Sequence, residues 1–294
     1  MRALTSTPRE GASSVAPAHR RAHRFYTPRR ASSVLCDATS RCKVVILPGL
    51  GNCADDFDAF AGLLRARGHE TRVLDVSRAD WLRNASGALT AAYWKGELAP
   101  RPTVDWYLER CERACDAVTS ESDGDVALVA HSAGGWLARV FLDHYASERR
   151  VRTIGRLVTL GSPMRAPPTD VPGVVDQTRG IGRWVDERCS SAETLRNERG
   201  IEVTCIAGTY ATGGEDLFAD AGAFAVGLGY KQVCGRASVP GDGITPVESA
   251  LLPGARHIIL DDVYHTPLGA SEEGGRAWYG SERVARLWLD DVLP

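Results

Sequence analysis

The sequence predicts an α/β fold with a mostly parallel central sheet and helices on both of its faces. Short apolar runs of strand length alternate along the chain with longer segments whose apolar residues recur at helical spacing. Such alternation is typical of a parallel sheet that is covered on both sides. With 294 residues, 44% hydrophobic and 24% charged, the composition is that of an ordinary globular protein. No internal repeat or later compositional break is found, so we expect one folded domain over residues 43–294.

The first 42 residues differ from the rest. They are rich in Arg, Ser, Ala and Pro and lack an apolar core segment, and residues 1–43 carry nine Lys or Arg against two acidic residues. This composition excludes a secretory signal peptide and is typical of an organellar transit peptide, with a plain disordered tail as the alternative. The acidic remainder has no basic patch for nucleic acid, and no apolar run approaches the roughly 18 residues of a membrane span.

The first predicted strand is Lys43–Leu47, which the turn at Pro48–Gly51 ends. A helix follows and ends near Gly68; its predicted cap is Asn52 or Asp55. Its apolar face is formed by Phe57, Phe60 and Leu64. The alternation over Thr71–Val76 predicts the second strand.

Residues Ser77–Pro102 show less regularity and are rich in aromatic side chains. Such a stretch often covers a site, although its aromatic residues are equally suited to packing on the core. A helix is then predicted over Thr103–Val118, with Cys111 and Cys115 on its apolar stripe. We expect these two thiols and Cys205 to be small core residues, since the eight cysteines contain neither a C-x-x-C pair nor zinc-ligand spacing.

The central motif lies at residues 126–136. The apolar run Val126–Ala130 stops at His-Ser-Ala-Gly-Gly, and a helix with Leu137, Val140, Phe141 and Tyr145 on one face follows. A strand, a sharp turn and a helix form the context of a nucleophile elbow, which exposes the hydroxyl of Ser132. Ala130 stands where the usual G-x-S-x-G pattern has its first glycine, which is a mild departure. The alternative interpretation is that small residues merely end a buried strand.

The second half of the chain predicts three further strands, a possible short helix over Trp184–Cys189, and a terminal helix. The strands are Arg156–Leu160, Glu202–Ala207 and Arg256–Leu260. Residues 213–235 have no clear period. The terminal helix begins at Ser281 and carries Val284, Leu287 and Trp288.

Three side chains follow the ends of predicted strands, where chemistry sits in an open α/β sheet. Ser132 is the candidate nucleophile, His265 its general base, and Asp242 the acid that orients the imidazole. His257 and His131 lie inside the strand and elbow patterns and are poorly placed to move protons. For the acid, the alternatives are Asp216, Asp261 and Asp262. The backbone N–H groups of Ala133 and Leu50 are predicted to form the oxyanion hole.

These residues resemble the lipase-type α/β-hydrolases. The resemblance is carried by four short segments, which are Ala130–Trp136, Leu160–Pro163, Gly241–Pro246 and Tyr264–His265. The wider pattern is similar to a plant, algal and cyanobacterial branch described as like the GPI inositol-deacylase-like hydrolases. The segments behind that similarity are Leu47–Asn52, Asp80–Asn84, Asp105–Tyr107, Val171–Gly173 and Trp278–Ser281.

The resemblance covers residues 43 to 294 and implies the α/β-hydrolase fold. In several bacterial lipases a Gly-Asp-Gly motif supplies the acid, which supports Asp242 by analogy. In plant and algal members a basic leader implies the chloroplast, and the mitochondrion is the alternative.

The expected activity is hydrolysis of a carboxylic ester, such as that of a lipid, through an acyl-enzyme. Acyl transfer on the same triad and a non-catalytic ligand-binding protein of this fold are the alternatives. Residues 77–102 and 213–235 are candidates for an apolar acyl pocket or a lid. No metal, nucleotide or haem motif is present, so we expect no cofactor.

Overall fold

The central sheet has six strands, all parallel, in the order β2-β1-β3-β4-β5-β8. In this computed structural model, the described residues are 42–118, 124–271 and 273–293. The sheet strands are β1 (Lys43–Leu47), β2 (Thr71–Val73), β3 (Val126–His131), β4 (Ile154–Leu160), β5 (Glu202–Thr209) and β8 (Arg256–Asp261). A separate antiparallel pair is formed by β6 (Ala211–Thr212) and β7 (Pro240–Gly241). The predicted fold class is confirmed.

Helices lie between the strands. In chain order they are α1 (Asp58–Ala66), α2 (Ala91–Lys95), α3 (Asp105–Ala117), α4 (Ala133–His144), α5 (Glu148–Thr153), α6 (Ile181–Arg188), α7 (Ala192–Arg199), α8 (Ala221–Cys234), α9 (Val247–Ala250), α10 (Glu282–Ala285) and α11 (Leu289–Val292). Two 3₁₀ helices, Ala54–Phe57 and Arg78–Leu89, follow β1 and β2.

Alternate residues of the central strands face two separate apolar layers. From β3, Leu128 and Ala130 pack in one layer with helices α3, α4 and α6, whereas Val129 packs in the other layer with α1 and the C-terminal helices. This follows from the two-residue repeat of a strand. Both faces of β3 are therefore covered, and all six of its residues are buried. Ser132 thus follows directly on a strand that is buried along its whole length.

Two predicted elements are shorter than expected. The second strand ends at Val73, not Val76, since beyond it the chain bends so that the N–H of Ala54 can bond the carbonyl of Val76 at 2.8 Å. The terminal helix is broken into α10 and α11. The Ser281 hydroxyl accepts the N–H of Trp278 at 2.9 Å and does not cap α10, and Leu287 is 60% exposed.

The cap expected for the first helix is also wrong. Instead of Asn52 or Asp55, the carboxylate of Asp56 accepts the N–H of Cys53 at 3.0 Å, and the Asn52 side chain donates to that carboxylate. The segment without a clear period, 213–235, contains α8, whose N-terminus is capped by Asp220. Its many small residues allow close packing, since a Cβ on Gly227 would lie 2.1 Å from the carbonyl oxygen of Gly214.

Other predictions hold. Cys111, Cys115 and Cys205 are fully buried, and all seven described cysteines are free thiols. The predicted leader, apart from Cys42, lies outside the described residues, so its nature stays a prediction. None of the helices in the described part of the chain combines the length and apolarity needed to cross a membrane.

Candidate active site

Ser132 occupies a strained turn between β3 and α4. Its φ is 51° and its ψ is −126°, in a region that non-glycine residues rarely adopt, at a cost of about 1–3 kcal/mol. The Ser132 N–H bonds the carbonyl of Leu160 at the end of β4, at 3.0 Å, and its carbonyl accepts the N–H of Gly135. The neighbouring strand and the first turn of α4 therefore hold the serine in the conformation of a nucleophile elbow.

The small residues of the elbow are required by close backbone approaches. A Cβ on Gly134 would lie 2.4 Å from the carbonyl oxygen of Leu47, and one on Gly135 would lie 2.3 Å from the Ser162 hydroxyl. On the other side, a Cβ on Gly49 would lie 2.5 Å from the Cβ of Ser132. The loop after β1 and the loop after β4 thus close on the serine from both sides.

A continuous hydrogen-bond chain joins three of the predicted site residues. The His265 Nε2 atom lies 3.0 Å from the Ser132 hydroxyl, and His265 Nδ1 lies 2.7 Å from Asp242 Oδ2. Because an ionised carboxylate only accepts, Nδ1 carries the proton and Nε2 is free to accept the serine hydroxyl. Asp242 is fully buried and His265 is 5% exposed. This arrangement can remove a proton from the serine oxygen and return it.

Asp242 has a complete set of donors. Its Oδ1 accepts the N–H groups of Ile244 at 3.0 Å and Thr245 at 2.7 Å, which makes the Gly-Asp-Gly turn a carboxylate cradle. Its Oδ2 accepts the Tyr279 hydroxyl at 2.7 Å as well as His265. Burial and the adjacent Asp242 carboxylate raise the pKa of Tyr279 well above its usual range, so this hydroxyl stays a donor. The buried charge is therefore solvated entirely by protein groups.

The alternative acids are occupied elsewhere. Asp216 accepts the backbone N–H groups of Phe218 and Ala219, and Asp261 accepts the Thr209 hydroxyl at the sheet edge. Asp262 is exposed, at a positive φ of 55°. The structure brings Asp242, and none of these three, to the imidazole.

His131 holds the main chain of His265 in place. Its Nε2–H donates to the main-chain carbonyl of His265 at 2.8 Å, and its Nδ1 has no partner among the described residues. Burial lowers the pKa of His131 to about 3, with the nearby His265 adding to the effect. His131 is thus a neutral structural residue, and His257, which bonds the carbonyl of Leu252, is also remote from Ser132 chemistry.

The two predicted oxyanion donors border Ser132. Ala133 is the first residue of α4, and the first N–H groups of a helix have no partner inside it. Leu50 follows Gly49 in the loop after β1, and the Tyr107 hydroxyl fixes that loop by donating to the carbonyl of Pro48 at 2.8 Å. Both residues line the same cavity as the serine. Their role as oxyanion donors stays a prediction.

A cavity of about 440 Å³ opens at Ser132. Its walls are largely apolar and aromatic, from α3, α4, α6 and the segment that follows β4. The aromatic-rich stretch 77–102 contributes Trp81, Asn84, Tyr93 and Leu98, and α8 contributes Gln232 and Val233. Both segments suspected from the sequence therefore line the cavity that opens at Ser132.

Three residues of this site were not predicted from the sequence. Tyr279 lies in the Trp278–Ser281 segment, which the family resemblance singles out without a role for the hydroxyl. Gly161, at φ +57°, has no room for a side chain, since its Cβ would lie 2.4 Å from Asp242 Oδ2. His131 was expected only to be unsuitable for proton transfer. The roles of all three depend on which residues they contact in the folded chain, and the sequence alone does not show those contacts.

Comparison with known proteins supports the resemblance for part of the chain. The family model of the PGAP1-like alpha/beta domain matches residues 105–215, a range that holds Ser132 and Ala133 but not Asp242 or His265. This match confirms the similarity to lipase-type and GPI inositol-deacylase-like hydrolases. The plant, algal and cyanobacterial branch stays a prediction. No curated protein matches the chain.

Solved structures of bacterial proteins are similar in fold. The mature lipase BlEst2 of Bacillus licheniformis is 14% identical with a TM-score of 0.48, over 89% of this chain and 96% of that chain. The lin2722 gene product of Listeria innocua is 16% identical with a TM-score of 0.45, over 80% of this chain and 91% of that chain.

Proposed function

We propose that this α/β-hydrolase-fold chain is a serine hydrolase that cleaves a carboxylic ester through an acyl-enzyme. The observation that carries the proposal is the hydrogen-bond chain from Ser132 through His265 to Asp242, which begins at the floor of an apolar cavity. A strained serine, a base within 3.0 Å and an orienting carboxylate meet the requirements of nucleophilic catalysis.

In the first half of the reaction, the Ser132 oxygen attacks the acyl carbon while its proton passes to His265 Nε2. The Asp242 carboxylate stabilises the imidazolium through Nδ1. The oxyanion is met by the N–H groups of Ala133 and Leu50, and losing one such donor typically lowers the rate about 10²–10³-fold. His265 then returns the proton to the departing alcohol.

In the second half, water enters and His265 takes its proton. The water oxygen bonds to the acyl carbon, the bond to Ser132 breaks, and the serine recovers its proton. If an alcohol replaces water, the same steps give acyl transfer. Nothing specific in the described residues favours transfer over hydrolysis.

The substrate proposal rests on the cavity walls. Trp81, Leu98 and Trp106 offer apolar surface in the cavity that Ser132 also lines, so the acyl chain is proposed to lie along them. Such contact would stabilise the binding of longer chains by about 0.8 kcal/mol for each buried methylene group. The ester is therefore proposed to carry a hydrocarbon chain, as lipid esters do.

The test is labelling of the full chain with a fluorophosphonate probe. Wild type is expected to be labelled stoichiometrically and Ser132→Ala not at all, while Ser238→Ala, an exposed serine outside the cavity, keeps full labelling. Equal labelling of Ser132→Ala would contradict the assignment. A folded wild type without labelling would favour a non-catalytic ligand-binding protein. Product analysis with added alcohol separates hydrolysis from acyl transfer.

The chloroplast is the proposed destination, and it rests on the basic composition of residues 1–42. Fusion of these residues to a fluorescent protein would test it, with the mitochondrion as the alternative outcome.

A further inference from the structure

One wall of the cavity contains a second strained residue. Among the described residues only Ser132, Arg179 and Asp262 are non-glycine residues at positive φ, and the first two line the same cavity. Arg179 has a φ of 55° and precedes α6. A long charged side chain is not favoured in this conformation, and strain of this kind concentrates at ligand-binding positions.

The turn that carries Arg179 is rigid. Asp176 Oδ1 accepts the N–H and hydroxyl of Thr178, and its Oδ2 accepts the N–H of Gly180 at 2.8 Å. The Arg179 carbonyl in turn accepts the N–H of Leu98 at 2.8 Å. The backbone of this strained residue is therefore held by neighbours on both sides of the cavity wall.

The guanidinium lies over an aromatic ring of the cavity. Its Cζ atom is 5.1 Å from the ring centroid of Tyr93, which also lines the cavity. Stacking on a ring leaves the edge of the guanidinium, with its fork of N–H donors, available to another group. Within the described residues, Arg179 forms no ion pair.

Two other charged residues, Arg165 and Asp176, line the cavity. Arg165, which follows the Ser162–Met164 turn, also lines the cavity, is exposed, and likewise has no ion pair within the described chain. The only acidic residue among the lining residues is Asp176, and both of its oxygens are already hydrogen-bonded within the turn. The cavity wall thus carries two arginines against one carboxylate, so these groups leave it positively charged.

We infer that Arg179, assisted by Arg165, binds an anionic oxygen group of the substrate, either a carboxylate or a phosphate. The inference rests on the proposed ester hydrolysis and narrows its substrate to esters that carry such a group. A planar guanidinium pairs with carboxylate or phosphate through two parallel hydrogen bonds. Such pairing would favour esters that carry the anionic group over neutral esters of the same length.

The experiment compares three ester series of equal chain length. One is neutral, one carries a terminal carboxylate on the acyl chain, and one carries a phosphate on the alcohol. Wild type is expected to hydrolyse at least one anionic series with a KM about tenfold or more below that of the neutral series. The anionic series with the lower KM shows whether the bound anion lies on the acyl side or on the alcohol side of the ester. Arg179→Gln is expected to abolish the gain, so that the anionic and neutral series are hydrolysed with similar KM values.

The matched control is Arg183→Gln, an exposed arginine of α6 that does not line the cavity, which is expected to retain wild-type preference. Arg179→Lys keeps the charge but not the paired donors, so it is expected to retain only part of the preference for the anionic series. If wild type turns over the neutral series equally well, the inference is wrong and the proposed hydrolysis stands. If no series is turned over and the probe does not label Ser132, the proposed function itself fails.

Discussion

The Asp242 carboxylate receives four hydrogen bonds, and two of them converge on the oxygen that faces His265. On Oδ2, the Tyr279 hydroxyl competes with His265 Nδ1 for negative charge, while the same hydroxyl accepts the N–H of Gly208 at 2.8 Å. Tyr279 therefore connects the end of β5 to the acid. We regard it as a positioning residue that also sets how strongly the carboxylate attracts the imidazolium.

Tyr279→Phe is expected to move the acid limb of the pH profile of kcat/KM to higher pH. Without the hydroxyl, the Oδ2 charge is less satisfied and interacts more strongly with the imidazolium that forms during the reaction. A hydrogen bond worth roughly 0.5–1.5 kcal/mol corresponds to about 0.4–1.1 pH units. The measurement is the pH dependence of ester hydrolysis.

Tyr230→Phe is the control for this change. Its buried hydroxyl accepts the N–H of Gly243 and donates to the carbonyl of Ala211, but does not contact the carboxylate. Each variant loses a buried hydroxyl, which costs about 1–3 kcal/mol of stability. An equal shift of the acid limb in both variants, or no shift in Tyr279→Phe, would contradict the role given to Tyr279.

At the scale of elements, the end of β4 determines whether the acid fits. Gly161→Ala is expected to lower kcat by at least about 100-fold, since the new Cβ would lie 2.4 Å from Asp242 Oδ2 and 2.9 Å from the Tyr279 ring, and misplacing a catalytic group by about 1 Å costs this much. Steady-state kinetics measures the loss.

Gly200→Ala separates backbone strain from this clash. Gly200 has a similar φ of +69°, and nothing lies within 4 Å of its added Cβ. Its substitution should cost only about 1 kcal/mol of stability and leave kcat unchanged. Comparable kinetic losses in the two variants would show that strain, and not contact with the acid, controls activity.

The aromatic-rich stretch 77–102 supplies a test of the acyl pocket. Leu98→Trp places a larger side chain against the cavity, so activity on long-chain p-nitrophenyl esters is expected to fall about tenfold or more relative to short ones, as lost burial of two or more methylene groups implies. Leu89→Trp, the same substitution at an 89% exposed position of the same stretch, should keep the wild-type preference. An unchanged preference in Leu98→Trp would remove this wall from the proposed acyl site.

Strands β1 and β3 were predicted to within one residue. Both are apolar along nearly their whole length, and a covered parallel strand requires such a run. The break at Leu287 was missed because helical spacing continues through it. In the structure, the N–H groups of Leu287 and Trp288 bond carbonyls three residues back, those of Val284 and Ala285, so the helix gives way to a turn there. Likewise, the chain order Ser132, Asp242, His265 predicted these three site residues. Tyr279 could be identified only from its contact with Asp242 in the structure.

On the scale of the whole molecule, the two apolar layers bury a neutral histidine next to the site. The folded chain keeps His131 neutral down to a pKa of about 3, while an unfolded histidine binds a proton below about pH 6.5. Unfolding therefore takes up a proton between these values. The stability that depends on a neutral His131 is complete above about pH 6.5 and is lost as the pH falls toward 3.

His131→Gln is expected to reduce the acid sensitivity of folding. Between pH 7.5 and 5.0, protonation of the unfolded histidine lowers the free energy of unfolding of wild type by about 2 kcal/mol, and the variant should lack this part of the decrease. Urea unfolding at the two pH values measures it. His257→Gln, at a partly exposed histidine that also bonds a carbonyl, is the control; equal pH dependence in wild type and His131→Gln would refute the prediction.

The distribution of tryptophan between the two layers gives the molecule a built-in optical reporter. Of its seven tryptophans, Trp81, Trp106 and Trp136 border the cavity, whereas Trp278 and Trp288 pack with Phe60 on the opposite side of the sheet. A brominated chain seated beside Ser132 would quench the first group more strongly than Trp288, which packs against Phe60. Emission from the unmodified protein therefore distinguishes a filled cavity from a loosened core within one sample.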